Sequence, residues 1–361
     1  MLHKLQIQQF RNLSQIEILP SDRMNLLLGH NGSGKSSILE AIHYLSLGRS
    51  FRTHLTNRVI MQGEKAFTLF AQLERDEQRV QVGLQKDRQG DTQLRIDGKN
   101  ADKLAQLASL LPLQLIHPEG YNLLTGGPQQ RRAFVDWGVF HVEQAFYPLW
   151  GKVRRLLKQR NALLRQSASY APLQFWDQQL AELSESLSVF RQNYCQQLLP
   201  LMAQICQELL PEYTFQATFY AGWQQDKPLQ QLLQDGFERD RQLGHTSIGP
   251  HRADLRLRTD GVPVQDVLSR GQLKLLVCAL RLAQGLFLKQ AAQKSCLFLI
   301  DDFASELDEE KRYVLAKRLK ECESQVFVTA IDQKPLEGIM QEFDCRTFHV
   351  KQGEITEQSI M

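Results

Sequence analysis

Long apolar runs are missing from this chain of 361 residues. None reaches the roughly 18 consecutive apolar positions of a membrane span, and the opening MLHKLQIQQFRNL alternates polar with apolar where a signal peptide has an unbroken apolar region. An excess of one charge is missing as well: 43 Lys and Arg stand against 40 Asp and Glu, a net of +3, so any nucleic-acid surface must be a local patch. The six cysteines, at positions 195, 206, 278, 296, 322 and 345, are scattered through mostly apolar runs with no C-x-x-C pair. That excludes a zinc site or disulfide framework of the usual spacing and leaves reduced, buried thiols as the expectation. Sustained heptads are absent too, so no long coiled coil is predicted. A cytoplasmic protein with no membrane contact and two or three domains is expected.

What is present centres on Met24-Asn25-Leu26-Leu27-Leu28-Gly29-His30-Asn31-Gly32-Ser33-Gly34-Lys35-Ser36-Ser37. A short apolar run, read as a buried strand, stops at Gly29; the next residues match G-x-x-x-x-G-K-[ST], and Ile38, Leu39, Ile42 and Leu45 follow at helical spacing. In that setting the glycines let backbone N–H groups around Gly29, His30, Asn31, Gly32, Ser33, Gly34, Lys35, Ser36 and Ser37 turn inward about a phosphate. The helix start adds its dipole, Lys35 reaches the β and γ oxygens, and the Ser36 hydroxyl can ligate Mg²⁺. The ligand expected is ATP with Mg²⁺.

Around this unit the first hundred residues read as mainly β. Residues 3–9 and 13–19 alternate at period two about the turn Phe10-Arg11-Asn12, and 66–74, 79–85 and 92–96 are further strand candidates, the last closed by Asp97-Gly98. From about 102 the character changes: a short helix at 104–111, a strand at 113–116, then helical patterning from 119 to about 210. Residues 144–176 contain no acid yet hold Lys152, Arg154, Arg155, Lys158, Arg160 and Arg165. On a helical wheel Val153, Leu156, Leu157, Leu163 and Leu164 share one face, with Lys152, Arg155, Lys158 and Arg165 opposite. This is either a solvated helix face or a surface for a phosphate backbone. Arg160 falls among the leucines, so it must snorkel, pair with a neighbouring acid, or mark a break.

Farther on, an aromatic, β-like stretch (Tyr213, Phe215, Phe219, Tyr220) precedes the polar turn 246–254 and the alternating strand 255–258. Ser269-Arg270-Gly271-Gln272 then opens a helix; serine is a good N-cap, and free N–H donors at a helix start suit an anion, although a plain capped helix has the same sequence. A second buried strand, 296–300, ends in Asp301-Asp302. A nucleotide site needs an acid after an apolar strand: Asp301 can hold Mg²⁺ and a second carboxylate beside it can orient the attacking water. Asp301 lies so far beyond Lys35 that the two halves of the site must flank a long insertion, which matches the helical middle.

With these motifs in order, the chain resembles the ABC-type head domains of the SMC and double-strand-break-repair ATPases. More narrowly, residues 118–136 (PEGYNLLTGGPQQRRAFVD), 299–308 (LIDDFASELD) and Gly249-Pro250-His251-Arg252 resemble the RecF family of bacterial recombination mediators. The resemblance implies an α/β fold: an ABC-type ATPase head with mixed β-sheets around the phosphate-loop core and an inserted, mainly helical lobe. The expected boundaries are 1–110 for the first part of the ATPase lobe, 111–240 for the insertion and 241–361 for the rest. It also implies that ATP is sandwiched between two copies, the loop of one facing Ser269, Arg270, Gly271 and Gln272 of the other, with Asp308 at the seam. Asp301 would serve Mg²⁺, Asp302 would polarise the water, and Arg11 and Asn12 would approach the nucleotide. DNA, single-stranded or gapped, would lie against Arg131, Arg132, Arg155 and Lys158. RecR and RecO are the implied partners, in recombinase loading, the SOS response and replication restart.

Several positions depart from the broader ABC pattern. Arg270 replaces a glycine, Asp302 stands where glutamate is usual, Thr329 is near the place of a missing histidine, and Gln114, His117 and Glu119 compete for the usual loop glutamine. Slow, DNA-responsive hydrolysis is therefore expected. A transporter-type subunit under a membrane partner is the alternative from another class; a small-molecule kinase would have no use for residues 269–272.

Overall fold

The structure, a computed structural model, describes residues 1–75, 78–101, 103–302, 307–340 and 343–357. Residues 1–120 and 280–361 form one compact unit, the head, and residues 121–279 form another. The division differs from the expected boundaries in one functional respect: the turn at 249–252 and the segment 269–272 fold with the helical unit.

The head holds two six-stranded sheets. One is antiparallel, in the order Leu13–Ile18, Leu2–Phe10, Ala66–Arg75, Gln78–Asp87, Thr92–Ile96, Lys99–Asn100. The strand Leu2–Phe10 buries Leu5 and Ile7 by strict alternation, while a register shift between Leu2 and Lys4 brings Leu2 onto the same buried side. The second sheet runs Glu354–Glu357, Cys345–Lys351, Met24–Leu28, Gln325–Ala330, Leu297–Ile300, Leu113–Ile116, and all neighbours but the first pair are parallel. Strands covered on both faces read as continuous apolar runs, which is why 24–28, 297–300 and 325–330 stand out in the sequence. Gln325 ties the sheets together: its side chain accepts from the Leu2 N–H (2.8 Å) and donates to the carbonyls of Leu2 (2.8 Å) and Ser21 (2.9 Å).

The second unit is mainly helical, with Pro128–Val142, Phe146–Leu164 and the 36-residue helix Gln174–Leu209. A three-stranded sheet orders Val262–Pro263, Asp254–Thr259 and Phe215–Tyr220. The longest helix packs on its two predecessors and extends into no coiled-coil arm. Of the three fates open to Arg160, the structure takes pairing: its guanidinium is fully buried and reaches Asp177 (2.7 Å), Asp240 (2.7 Å) and the Thr246 hydroxyl (2.9 Å). The Gly249–Arg252 turn is clasped in the same way. Arg191, paired with Asp136 at 2.7 Å, donates to the Pro250 carbonyl (2.8 Å), while the His251 ring meets the Thr246 carbonyl (2.9 Å).

The helix Arg270–Ala292 runs through the point where the chain divides, between Ala279 and Leu280. Among the described residues it is the helix long and apolar enough to cross a membrane, yet 72% of its most apolar stretch is buried inside the protein, as in core helices. All six cysteines are free, and five are buried.

Candidate functional site

Three adjacent parallel strands end side by side: Met24–Leu28, Gln325–Ala330 and Leu297–Ile300. The carboxyl ends of such strands are where open α/β sheets place ligands. The phosphate loop leaves the first strand, Thr329 closes the second, and Asp301 and Asp302 follow the third, so sheet order brings together what the sequence separates. A cleft of about 690 Å³ opens there, lined by loop residues 31–37 and by Arg11, Asn12, Arg52, Arg88 and Asp302.

The loop is built for close backbone approach. Gly34 has φ +122°, a conformation that side chains resist, and a Cβ there would meet Leu13 and Asn12 at 3.0 and 3.2 Å; a Cβ on Gly29 would lie 2.3 Å from the Val350 carbonyl. Lys35 is buried, and its ammonium donates to the carbonyls of Gly29 (2.7 Å) and His30 (3.1 Å). Its charge is thus held inside the loop by neutral acceptors and, among the described residues, is not cancelled by a carboxylate. The helix Lys35–Leu47 starts directly behind it with no side-chain cap, so its first N–H groups remain for an anion.

Opposite the loop, one hydroxyl organises two acids. Thr329, fully buried, accepts from the Asp302 N–H (2.8 Å) and lies 2.9 Å from Asp301 Oδ1 and 3.1 Å from Asp302 Oδ1. A hydroxyl has one proton, so it serves one carboxylate at a time. Ser36 donates to Asp301 Oδ1 at 2.9 Å. A serine hydroxyl and a carboxylate in contact beside a phosphate loop make a small set of hard oxygen donors, which fits Mg²⁺, an ion that keeps few protein ligands. Among the described residues no group of three or more His, Cys, Asp or Glu side chains forms a dedicated metal cage. Asp302 adopts φ +50°, a left-handed conformation that aspartate tolerates better than most residues and that is concentrated at functional sites.

The N-terminal turn meets the loop from the other side. Arg11, also at positive φ, sends Nε and Nη2 to the two oxygens of Glu40 (2.9 and 2.7 Å) and Nη1 to the Arg58 carbonyl (2.5 Å). Glu40 is fully buried on the phosphate-loop helix and also accepts from Ser50 (2.5 Å). Arg11 therefore lines the cleft while its charge is spent on Glu40. Asn12 accepts from the Ser37 hydroxyl at 2.8 Å and fixes the turn against the helix start. Sequence reasoning missed Glu40 as the partner of Arg11; an acid among the apolar positions of that helix was the available signal.

Gln114 is not a loop glutamine here. Buried within its strand, it donates to Gln284 (3.0 Å) and accepts from Arg281 (2.9 Å). His117, at the strand end, has its pKa lowered to about 4, first by burial and then by Arg281.

In the second unit, Ser269 and Gln272 form a reciprocal capping box: the Gln272 side chain accepts from the Ser269 N–H (2.9 Å) and the Ser269 hydroxyl from the Gln272 N–H (3.3 Å). Ser269, Arg270 and Gly271 are exposed. In the head, Asp308 caps the helix Glu309–Glu321, accepting from the Lys311 N–H (2.9 Å), and pairs with the Lys311 ammonium (2.7 Å), which holds its carboxyl below the usual range. Ser305 and Glu306 of the same turn lie outside the described residues.

The four arginine and lysine residues expected at DNA divide into two pairs. Arg155 and Lys158 are exposed on the outer face of Phe146–Leu164. Arg131 grips Asp254 with two bonds (2.8 and 3.1 Å) and donates to the carbonyls of Gly126 and Leu124, and Arg132 donates to the Ala253 carbonyl at 2.7 Å. The Arg131 guanidinium is thus held by its own unit, whereas Arg155 and Lys158 reach solvent.

Fold and site together define an ABC-type ATPase head interrupted by a helical insertion. Residues 1–356 match the family model described as the RecF/RecN/SMC N terminal domain. The chain is 51% identical over 355 residues to the DNA replication and repair protein RecF of Vibrio vulnificus, covering 98% of this chain and 99% of that one, and 50% identical over 361 residues to its Vibrio cholerae counterpart, with the same coverage. It belongs to the RecF family. Among solved structures, that of the recombination mediator protein RecF with ATP in the RecFOR pathway superposes with a TM-score of 0.88 at 23% identity, covering 99% of this chain and 97% of that one. An Smc head bound to the C-terminal winged-helix domain of ScpA superposes at 0.62 and 15% identity, covering 99% and 98%. These likenesses carry the expected α/β head fold. Nothing in them favours the transporter-type alternative.

Proposed function

We propose that this protein is an ATP-dependent DNA-binding protein of recombinational gap repair, and that ATP joins two copies head to head. The observation that carries the reading is the convergence of Lys35, Ser36, Asp301 and Thr329 at the ends of three neighbouring strands. The membership in the RecF family, and the naming of its relatives as replication and repair proteins, support DNA as the partner. The RecFOR pathway named for the solved relative supports RecR and RecO as further partners, with recombinase loading, replication restart and the SOS response as the setting.

In this reading residues 29–37 wrap the triphosphate with backbone N–H groups, and Lys35 turns its ammonium from the loop carbonyls toward phosphate oxygens. Ser36 and Asp301 hold Mg²⁺, which when bound supplies charge stabilisation at the phosphoryl oxygens. Asp302 orients the attacking water, with Thr329 fixing the carboxylate through the Asp302 N–H. Ser269, Arg270 and Gly271, exposed at a capped helix start, face the triphosphate of the second copy, with Gln272 shaping that start and Asp308 beside the seam. Arg11 acts by fixing the helix through Glu40. Asn12 does the same through Ser37. An aspartate in place of the longer glutamate gives slow, DNA-stimulated turnover, a switch that times dimer opening in the cytoplasm. Single-stranded and gapped DNA then meets Arg155 and Lys158.

The test is light scattering on a sizing column with and without ATP and Mg²⁺. The wild-type protein is expected to pass from one copy to two, and Lys35→Met to remain single under conditions that saturate the wild type. A Lys35→Met protein that still pairs on ATP overturns the reading.

A further inference from the structure

On the helix Phe146–Leu164, the flank beside the buried face carries the partly buried Trp150 and the exposed Tyr147, Arg154 and Lys158 in one stripe, three or four residues apart. The aromatic members are already aligned. The rings of Tyr147 and Trp150 lie 20° from parallel with centroids 6.1 Å apart, and the Arg154 guanidinium sits 4.6 Å from the Trp150 centroid. Phe140 braces the other end, edge-on to Tyr147 at 5.7 Å. Tyr147 is 39% exposed, which leaves its ring open to solvent.

The core does not account for this stripe. Arg160, the buried cation of this helix, is fully paired with Asp177 and Asp240, and those bonds hold the helix so that the stripe borders the buried face and its Tyr147, Arg154 and Lys158 reach solvent. Lys152, Arg154, Arg155 and Lys158 have no ion-pair partner among the described residues, and residues 144–176 hold no acid; Asp177, the next one along the chain, is spent on Arg160. Flat π surfaces, a guanidinium plane and uncompensated positive charge along about 17 Å of helix, at 1.5 Å per residue, match a strand whose bases are unstacked and whose backbone is anionic. A duplex hides its base faces, and an anionic vesicle or acidic peptide offers charge without them.

We propose that the Tyr147, Trp150 and Arg154 ladder is a stacking platform for unpaired bases of single-stranded DNA, with Lys158 and Arg155 taking the adjoining phosphates. The proposal deepens the DNA-binding reading above and rests on it: it assigns the unpaired strand to this helix.

The experiment uses the full-length protein with ATP and Mg²⁺ and measures fluorescence anisotropy of three labelled probes: an oligothymidylate of twenty residues, an abasic sugar-phosphate oligomer of the same length, and a blunt duplex. Stacking contributes roughly 5- to 150-fold in affinity per base, so the oligothymidylate is expected to bind at least about tenfold tighter than the abasic strand. Trp150→Ala and, separately, the more exposed Tyr147→Ala should remove most of that preference while leaving duplex and abasic affinity within about twofold. ATP binding by each variant checks that it is folded. Equal affinity for the thymidylate and abasic strands overturns the platform, as does an unchanged preference in both variants. If neither strand nor duplex binds with ATP, the DNA-binding reading fails as a whole; if the duplex binds and the base preference is absent, the platform alone fails.

Discussion

In the head, the charged groups around the cleft are held by backbone carbonyls and hydroxyls, whereas in the helical unit they are held by one another. Lys35 rests on two carbonyls, and Asp301 rests on the hydroxyls of Ser36 and Thr329. Arg160, Arg191 and Arg131 each meet a carboxylate at 2.7 to 2.8 Å. Neutral partners fix a charge's position without cancelling it, so the head keeps its field for a ligand. Mutual pairing cancels charge, so these buried groups of the helical unit are neutral structure and leave the field to exposed cations such as Arg155 and Lys158. At the cleft, Glu40 with Arg11 follows the second pattern, and there it fixes the helix behind the phosphate loop.

The contrast is broken most severely at Arg160. Replacing it with Met leaves the carboxylates of Asp177 and Asp240 buried without their cation, a change that costs about 3 to 5 kcal/mol. Urea unfolding of Arg160→Met should show a loss of that size, with the helical unit affected first. A loss under about 1 kcal/mol would mean that the pairing is not structural in the sense argued.

His43 extends the comparison to a group kept neutral by burial. Its ring meets the Arg49 carbonyl at 2.9 Å, and burial, the largest influence, lowers its pKa from 6.5 to about 4. The unfolded chain therefore takes up a proton first as pH falls. This contribution is complete above about pH 6.5 and is lost as the pH drops toward 4. Between pH 7.5 and 5 the wild type should lose about 2 kcal/mol more than His43→Gln, from the same pKa values. Parallel pH profiles for the two proteins would remove His43 as the cause.

Inside the head, Thr329→Val sharpens the point that a single hydroxyl positions the acids. The volume is nearly kept, but Asp301 and the Asp302 N–H lose their shared partner. Mutating such outer partners typically costs 10- to 100-fold in metal affinity or activity, and about tenfold in the Mg²⁺ concentration needed for ATP hydrolysis is expected. An unchanged Mg²⁺ requirement would place the control of Asp301 elsewhere.

Much of this arrangement was legible in the chain. Buried parallel strands announce themselves as apolar runs, and the phosphate loop has a spacing that its chemistry imposes, so 24–37 and 297–302 were readable directly. What escaped were relations set by tertiary contacts. Residues 345–357 add one strand beside Met24–Leu28 and a second at the sheet edge, and neither was expected, because Cys345-Arg346-Thr347-Phe348-His349-Val350 alternates too weakly to distinguish a strand from a loop. The partners of arginine were equally hidden: the sequence shows Arg131 and Arg155 as similar basic residues of helical segments, and only the fold reveals that Asp254 is folded back onto the first and no acid onto the second.

That last difference is the finest test of the comparison. Arg131→Ala removes a cation whose job is internal, so it should cost about 1 to 3 kcal/mol of stability through the unpaired Asp254, while the salt dependence of DNA binding stays as in the wild type. Lys158→Ala should do the reverse. It leaves stability within about 0.5 kcal/mol and reduces the slope of log affinity against log salt by about 1, the amount for one lost phosphate contact. Anisotropy titrations at several salt concentrations, beside urea unfolding of the same proteins, separate the two. If Arg131→Ala lowered the salt slope and left stability untouched, the ion pair with Asp254 would have to open when DNA binds, and charge in the helical unit would be as available to a ligand as charge in the head.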